Sequence, residues 1–188
     1  CTPSTAIVIM SVGQIIGFST MKAKEAKILR KKLAFAERTC SDPLDLIPKS
    51  LLEPLEERNY VLSTQRQLDD FLDLFHRNMG DMYRNSSWGL DLQDKENEME
   101  HHKAKYLVVK DCDEAMLGFI HYRVEYTDDN DAIAMYVYEL QIEERAQRQG
   151  IGRKLMKAME YIAKAAQLDR ILLTVFKSNT AALDFYTK

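Results

Sequence analysis

The run Gln147-Arg-Gln-Gly150-Ile-Gly152 constrains this chain more than any other stretch. It lies between an apolar run, Ala132 to Ile142, and a segment whose apolar positions Ile151, Leu155, Met159, Ile162 and Ala166 repeat at helical spacing. A strand must therefore pass into a helix across two glycines. Glycine has no side chain to hold backbone N–H groups away from an anion. The helix starting there adds the positive end of its dipole, and Arg148 and Arg153 add charge. A pyrophosphate fits such a turn. On spacing alone, so does a plain loop leading into a helix. Two other phosphate motifs are excluded: the chain has no Gly-x-x-x-x-Gly-Lys-Ser/Thr, and no third glycine completes Gly-x-Gly-x-x-Gly.

The surrounding pattern predicts a mixed α/β sheet with helices packed on it. Residues 59–63 read as a short strand. Leu68, Phe71, Leu72, Phe75, Met79 and Met82 then mark one face of an amphipathic helix. Asn85-Ser-Ser-Trp-Gly89 breaks it, and residues 91–103 are polar, a surface helix or loop. Tyr106–Lys110, Met116–Tyr126 and Ala132–Ile142 read as successive antiparallel strands, the last two joined by a hairpin at 127–131. Ile171–Phe176 is a continuous apolar run, as expected of a strand buried on both faces. Asn179 stands where a helix N-cap would, ahead of Ala181–Tyr186.

A length of 188 residues suits one domain, and 46% hydrophobic with 29% charged residues is a soluble globular profile. The net charge of −3 supplies no basic field for nucleic acid. The cysteines Cys1, Cys40 and Cys112 are odd in number and widely spaced, which argues against a disulfide framework or structural zinc. His101 and His102 are adjacent, and His76 and His121 stand alone, so no metal is expected. Residues 1–20 are uncharged, and Ala6–Phe18 is shorter than the about 20 apolar residues of a membrane span. We read 1–20 as an uncertain leader or upstream sequence with Met21 as the start, 21–58 as a basic helix and connector, and 59–188 as the main domain.

Gln-x-x-Gly-x-Gly after a strand, then a helix, a buried strand and Asn179-x-x-Ala182-x-x-Phe185-Tyr186, resembles the acetyl-CoA site of the GNAT N-acetyltransferases. Within that superfamily Asn85-Ser-Ser-Trp-Gly89, Tyr136-Val-Tyr-Glu-Leu-Gln141 and Leu173-Thr-Val-Phe-Lys177 resemble the NatD type, which acetylates the N-terminal serine of histone tails beginning Ser-Gly-Arg-Gly. The resemblance covers about residues 21–188. It implies the GNAT acyl-CoA fold, with closing strands expected beyond Lys188, acetyl-CoA as cosubstrate, histone tails as partners, a monomer, and action in nucleus and cytoplasm.

By resemblance, backbone groups of Leu140, Gln141 and Ile142 take the pantetheine arm, and Arg148, Gln149, Gly150, Ile151, Gly152 and Arg153 take the phosphates. Asn179 either binds the arm or simply caps its helix. Glu139 is the expected general base, with Tyr138 beside it in the catalytic pair. An N-terminal amine has a pKa of about 8, so it must lose a proton before attack. The plain alternative for an acid in an apolar strand is an ion pair, to Arg123 or to a Lys on the neighbouring strand. An N–H near Leu140 would stabilise the oxyanion. Tyr186 would protonate the leaving thiolate, or merely pack. Tyr83, Trp88 and Tyr138 are expected to wall a narrow peptide slot, with Thr174 touching the peptide and Tyr136 packing. Glu125, Tyr126 and Thr127, with acids among Asp128, Asp129 and Asp131, would meet the substrate arginine; Thr127 falls where an acid is expected. The alternatives are a GNAT enzyme acting on lysine or small amines, and a non-catalytic acetyl-CoA or histone-binding module.

Overall fold

The computed structural model describes the backbone of residues 5–11, 23–127 and 132–187, and the side chains of 25–127 and 132–187. The hairpin acids Asp128, Asp129 and Asp131 and the expected start at Met21 lie outside the described residues, as do the closing strands expected beyond Lys188.

Strand β1 (Thr5–Ser11) precedes helices α1 (Ala23–Thr39) and α2 (Lys49–Glu56). Then come β2 (Val61–Ser63), α3 (Leu68–Arg84) and α4 (Leu92–Glu100). Strands β3 (Lys105–Lys110), β4 (Met116–Tyr126) and β5 (Ile133–Ile142) follow, then α5 (Ile151–Ala165), β6 (Arg170–Phe176) and α6 (Thr180–Thr187). One sheet runs β1-β6-β5-β4-β3-β2. Every described pairing is antiparallel except β5 with β6. The succession from β2 to α6 is the one the hydrophobic periods predict.

Thr5–Ser11, within the segment 1–20 expected as an uncertain leader or upstream sequence, pairs with β6 along its full length, from Thr5 opposite Phe176 to Ser11 opposite Arg170. Its run TAIVIMS is rich in residues that suit a pleated ribbon, and β6 offers an edge.

Two apolar clusters sandwich the sheet. On one face Phe71, Leu74 and Phe75 of α3 and Met99 of α4 meet Tyr106, Val108 and Phe119. The Phe71 ring stacks between Tyr106 at 4.7 Å and Phe119 at 4.3 Å. On the other face Ile151, Leu155, Met159 and Ile162 of α5 cover Ile120, Tyr122, Val137 and Ile171. Burying each such side chain contributes roughly 1.5–3 kcal/mol.

The polar segment 91–103 becomes α4, capped by Asp91, whose Oδ1 accepts from the backbone of Gln93 and Asp94 at 3.0 Å each. It is not wholly a surface helix. Lys95 and Met99, one turn apart, are both buried.

Candidate active site

The site begins with two irregularities of β5. Its register against β4 slips between His121, opposite Glu139, and Tyr122, opposite Val137, so Tyr138 is an extra residue. Strict alternation would put Tyr138 and Glu139 on opposite faces. The bulge puts both on the face covered by α3 and α4. Tyr138 stacks on His121 at 5.0 Å, and Glu139 pairs with Lys95 of α4. Close approach of the strands is also built in at Gly118, where an added Cβ would lie 2.6 Å from the Gln141 carbonyl oxygen.

The second irregularity is a parting of strands. β5 pairs with β6 only at Met135, Tyr136 and Val137. From Tyr138 onward that side of β5 has no strand against it. The Glu143 N–H donates to Leu117 O on β4 at 2.8 Å. In an antiparallel ladder alternate residues turn the same way, so Gln141 also faces β4, while Leu140 and Ile142 turn their N–H and C=O groups to the open side. Of the three residues expected to offer backbone groups, Leu140 and Ile142 turn theirs to the open side and Gln141 turns its own to β4. The Ile142 carbonyl already accepts from Asn78 Nδ2 at 3.1 Å and Gln147 Nε2 at 3.2 Å.

Glu139 is only 6% exposed, yet its carboxylate is fully engaged. Lys95 Nζ donates to Oε1 at 2.9 Å and Gln141 Nε2 donates to Oε2 at 2.7 Å. Asn78 Nδ2 in turn donates to Gln141 Oε1 at 3.0 Å. Lys95 Nζ also donates to Glu98 Oε1 at 2.8 Å. The ion pair expected as the plain alternative is therefore present, but the partner is neither Arg123 nor a lysine on the next strand. It is Lys95, from a helix. Burial opposes the Lys95 charge, but Glu139 and Glu98 outweigh it and hold the ammonium above the ordinary lysine range.

The aromatic residues singled out in the sequence form two groups, Tyr83 with Trp88 and Phe176, and Tyr138 with His121 and Tyr136. Tyr83 meets Trp88 edge-on at 6.3 Å and Phe176 at 4.9 Å, and Trp88 tilts on Phe176 at 5.5 Å. Trp88 is 57% exposed, an uncommon position for an indole that serves packing alone. Burial, with Glu139 nearby, pushes the Tyr83 hydroxyl up to about 12. Tyr138 OH donates to Glu125 Oε2 at 2.7 Å, and the Arg123 guanidinium lies 4.3 Å over the Tyr138 ring. Burial and the bond to Glu125 both raise the Tyr138 hydroxyl. Tyr136 does more than pack: its hydroxyl bonds Thr174 Oγ1 at 2.5 Å. Thr127 differs from expectation. It is buried, its N–H donates to Ala132 O at 3.1 Å, and its hydroxyl accepts from the Ala132 N–H at 3.3 Å, so it closes the hairpin. Tyr126 lies at the end of β4, opposite Ile133 and partly exposed.

The glycine turn has the backbone that an anion needs. Arg148 and Gly150 are both left-handed, at φ 59° and 84°, and Gly150 is the N-cap of α5 with no side chain capping it. The first N–H groups of a helix have no acceptor within it. Half-buried Gln149 is held from the N-terminal side: Tyr60 OH donates to its Oε1 at 3.0 Å, and Arg58 Nη1 donates to its carbonyl at 3.2 Å. A cleft of about 590 Å³ opens here, lined among others by Gly150, Arg153, Lys154, Lys157, Phe185 and Tyr186. A Cβ on Gly152 would sit 3.5 Å from the Phe185 ring. Asn179 does cap α6, its Oδ1 accepting from the Ala182 N–H at 3.0 Å. Tyr186 is half-buried, and burial with the nearby Glu139 charge raises its hydroxyl.

Sequence reasoning missed Lys95, Glu98, Asn78, Phe75 and Phe176. The pair Lys95 and Met99 at helical spacing was the available signal for the first, and the end of the apolar run for the last. Among the described residues no group of three or more His, Cys, Asp or Glu could hold a metal ion, and no helix is long and apolar enough to cross a membrane.

Comparison with known proteins agrees with this architecture. The chain is 26% identical over 115 residues to a spermine/spermidine N(1)-acetyltransferase of Bacillus subtilis, covering 53% of this chain and 76% of that protein. An aminoglycoside acetyltransferase from an uncultured soil metagenomic sample, solved with trehalose, superposes with a TM-score of 0.53 at 20% identity, over 71% of this chain and 88% of that one. A GNAT-family acetyltransferase structure from Staphylococcus aureus gives a TM-score of 0.56 at 15% identity, over 68% and 80%. The profile of the acetyltransferase (GNAT) family matches residues 68–188, from the first turn of α3 to the last residue, and the chain belongs to that family of acetyl-CoA-dependent acyltransferases.

Proposed function

We propose that this chain acetylates the N-terminal amine of a protein, with histone-type tails beginning Ser-Gly-Arg-Gly as the substrate class. The observation that carries the reading is convergence. Tyr83, Trp88, Glu125, Tyr138 and Thr174 come from α3, the loop after it, and three strands: Tyr83 meets Trp88 and interacts with the Glu139 charge, while Tyr138, next to Glu139 on the same face, bonds Glu125 and reaches Thr174 through Tyr136. These are the residues that the resemblance to the NatD type singles out. A narrow aromatic slot suits an extended terminus with a small second residue. Glu125 is the described acid for an arginine at the third position; it already lies 3.7 Å from Arg123, so a substrate guanidinium would compete with that contact.

In this reading the helix α5 N-terminus, with Arg148 and Arg153, holds the cosubstrate phosphates, and the thioester lies along the open side of β5. Acetyl-CoA supplies the activated acyl group. Glu139 takes a proton from the bound ammonium, directly or through one water. Its engaged oxygens keep lone pairs for that purpose. The neutral amine attacks the thioester carbonyl, a C–N bond forms, and the C–S bond breaks. The Leu140 N–H, turned to the open side, stabilises the oxyanion. Tyr186, kept protonated by burial, donates to the leaving thiolate, and the second proton, shed by the nitrogen as the amide forms, restores its hydroxyl.

The relatives reported above are named for polyamines and aminoglycosides. They lend no support to the histone-tail reading and favour a second one, acetylation of a small polyamine. One experiment separates the two. The chain is incubated with acetyl-CoA and a Ser-Gly-Arg-Gly-Lys peptide, the same peptide N-terminally blocked, or spermidine, and the added mass is located. Acetyl on the free terminus alone supports the first reading. Acetyl on spermidine with both peptides untouched establishes the second in its place.

A further inference from the structure

Lys95 is the least expected member of the site. It belongs to a polar helix, but its side chain is 8% exposed and its ammonium sits between two carboxylates, Glu139 at 2.9 Å and Glu98 at 2.8 Å. The faces of Phe75 and Tyr83 lie 4.9 Å and 5.5 Å from Nζ. A buried ion pair gives little net stability over an apolar residue of similar size, so its presence calls for another explanation. The geometry supplies one. Each oxygen of Glu139 has one fixed donor, Lys95 on Oε1 and Gln141 on Oε2, and Gln141 is itself held by Asn78. The plane of the carboxylate is thereby set from α4 on one side and α3 on the other. A base must be ionised and correctly aimed before it can accept a proton.

We propose that Lys95 is a positioning residue of the acetyl transfer: from α4 it keeps a positive charge 2.9 Å from the Glu139 carboxylate and holds that carboxylate in one orientation, towards the acceptor amine. The inference rests on the reading of Glu139 as the base. The other groups facing this pair are Glu98 on α4, Tyr83 on α3, Tyr106 on β3, His121 and Arg123 on β4, and Tyr186 on α6. Of these, Glu98 is the one that competes with Glu139 for the Lys95 charge.

The test compares Lys95→Met, Lys95→Arg, Glu98→Gln, Glu139→Gln and the double variant Lys95→Met/Glu139→Gln in the full chain. Turnover is followed from acidic to alkaline pH with saturating acetyl-CoA and the acceptor identified above, and thermal unfolding is followed in parallel. Lys95→Met is expected to lower kcat on the order of tenfold or more, with the KM for acetyl-CoA within about twofold of the parent. The acid limb of its pH profile moves to higher pH, because the cation that favours the ionised carboxylate is gone. Lys95→Arg keeps the limb in place. Glu98→Gln moves it to lower pH, and this arm serves where Lys95→Met fails to fold. The double variant is no slower than Glu139→Gln, since Lys95 acts through Glu139.

A purely structural lysine would lower the unfolding temperature and leave the limb unmoved. A folded Lys95→Met with parental kcat and profile, an unmoved limb in Glu98→Gln, or a double variant whose loss is the product of the single losses overturns the proposal. Normal turnover by Glu139→Gln removes the base itself, and this inference with it. An inactive Glu139→Gln beside a normal Lys95→Met removes only the role of Lys95. A carbon-13 titration of the glutamate carboxyls, with the Glu139 resonance identified by its loss in Glu139→Gln, reads the same shift without any acceptor.

Discussion

The two halves of β5 share one strand and little else. From Ile133 to Val137 it is flanked by β4 and, at its last three positions, by β6, and Ile133, Met135 and Val137 sink into the aliphatic core. From Tyr138 to Ile142 it keeps only β4, carries the bulge, and presents Tyr138, Glu139 and Gln141 to a polar network. The first half satisfies its backbone within the sheet. The second leaves alternate backbone groups on an open side and buries a charge. Regular pairing thus stops where the buried polar network starts, and the regular half fixes the position of the irregular one.

That contrast can be broken by substitution. Glu139→Gln, in the irregular half, should reduce turnover on the order of a hundredfold or more, while calorimetry still registers acetyl-CoA binding; near-normal turnover would remove Glu139 from the mechanism. Met135→Ala, in the regular half, should cost about 2–5 kcal/mol of stability in denaturant titration, with kcat per folded molecule little changed. A Met135→Ala enzyme that stays stable but stops turning over would show that the halves are not separable in this way.

A third change probes the seam. His121 faces Glu139 across the ladder, lies between the Tyr106 and Tyr138 rings, and is fully buried. Burial, with Arg123 close by, pushes its imidazole down to about 3 from the ordinary 6.5. The unfolded chain therefore binds a proton that the folded chain refuses between those values. Stability from this residue is present above pH 6.5 and is lost as pH falls towards 3. His121→Met should flatten the pH dependence of unfolding across that window. The smallest effect is expected at Asn179→Ala, about 1 kcal/mol for a lost cap. A rise in the KM for acetyl-CoA without loss of stability would instead mark Asn179 as a cosubstrate ligand.

Much of this was legible in the residues. Leu68 to Met82 announced α3 because an amphipathic helix repeats its apolar positions. The glycine turn announced the start of α5 because only a residue tolerant of positive φ fits at Gly150, at φ 84°. Glu139 stood out because a carboxylate among apolar neighbours needs a reason. Its partner did not stand out, because Lys95 comes from a helix so polar that only its spacing from Met99 marks an inward face. The bulge was equally silent: Tyr138 and Glu139 share a face only through a register slip that no local pattern encodes. The pairing of Thr5–Ser11 with β6 was silent too, because an isolated apolar run carries no sign of the strand it will meet.

The contact between the N-terminal region and the glycine turn carries a consequence for how this protein should be handled. Arg58 and Tyr60 reach from the link between α2 and β2 to hold Gln149 by its carbonyl and its side chain. The conformation of the turn is thereby tied to the helical prelude of the chain, and a truncation made past Tyr60 to obtain a smaller unit would remove both of these supports from Gln149 while leaving the turn's own sequence intact.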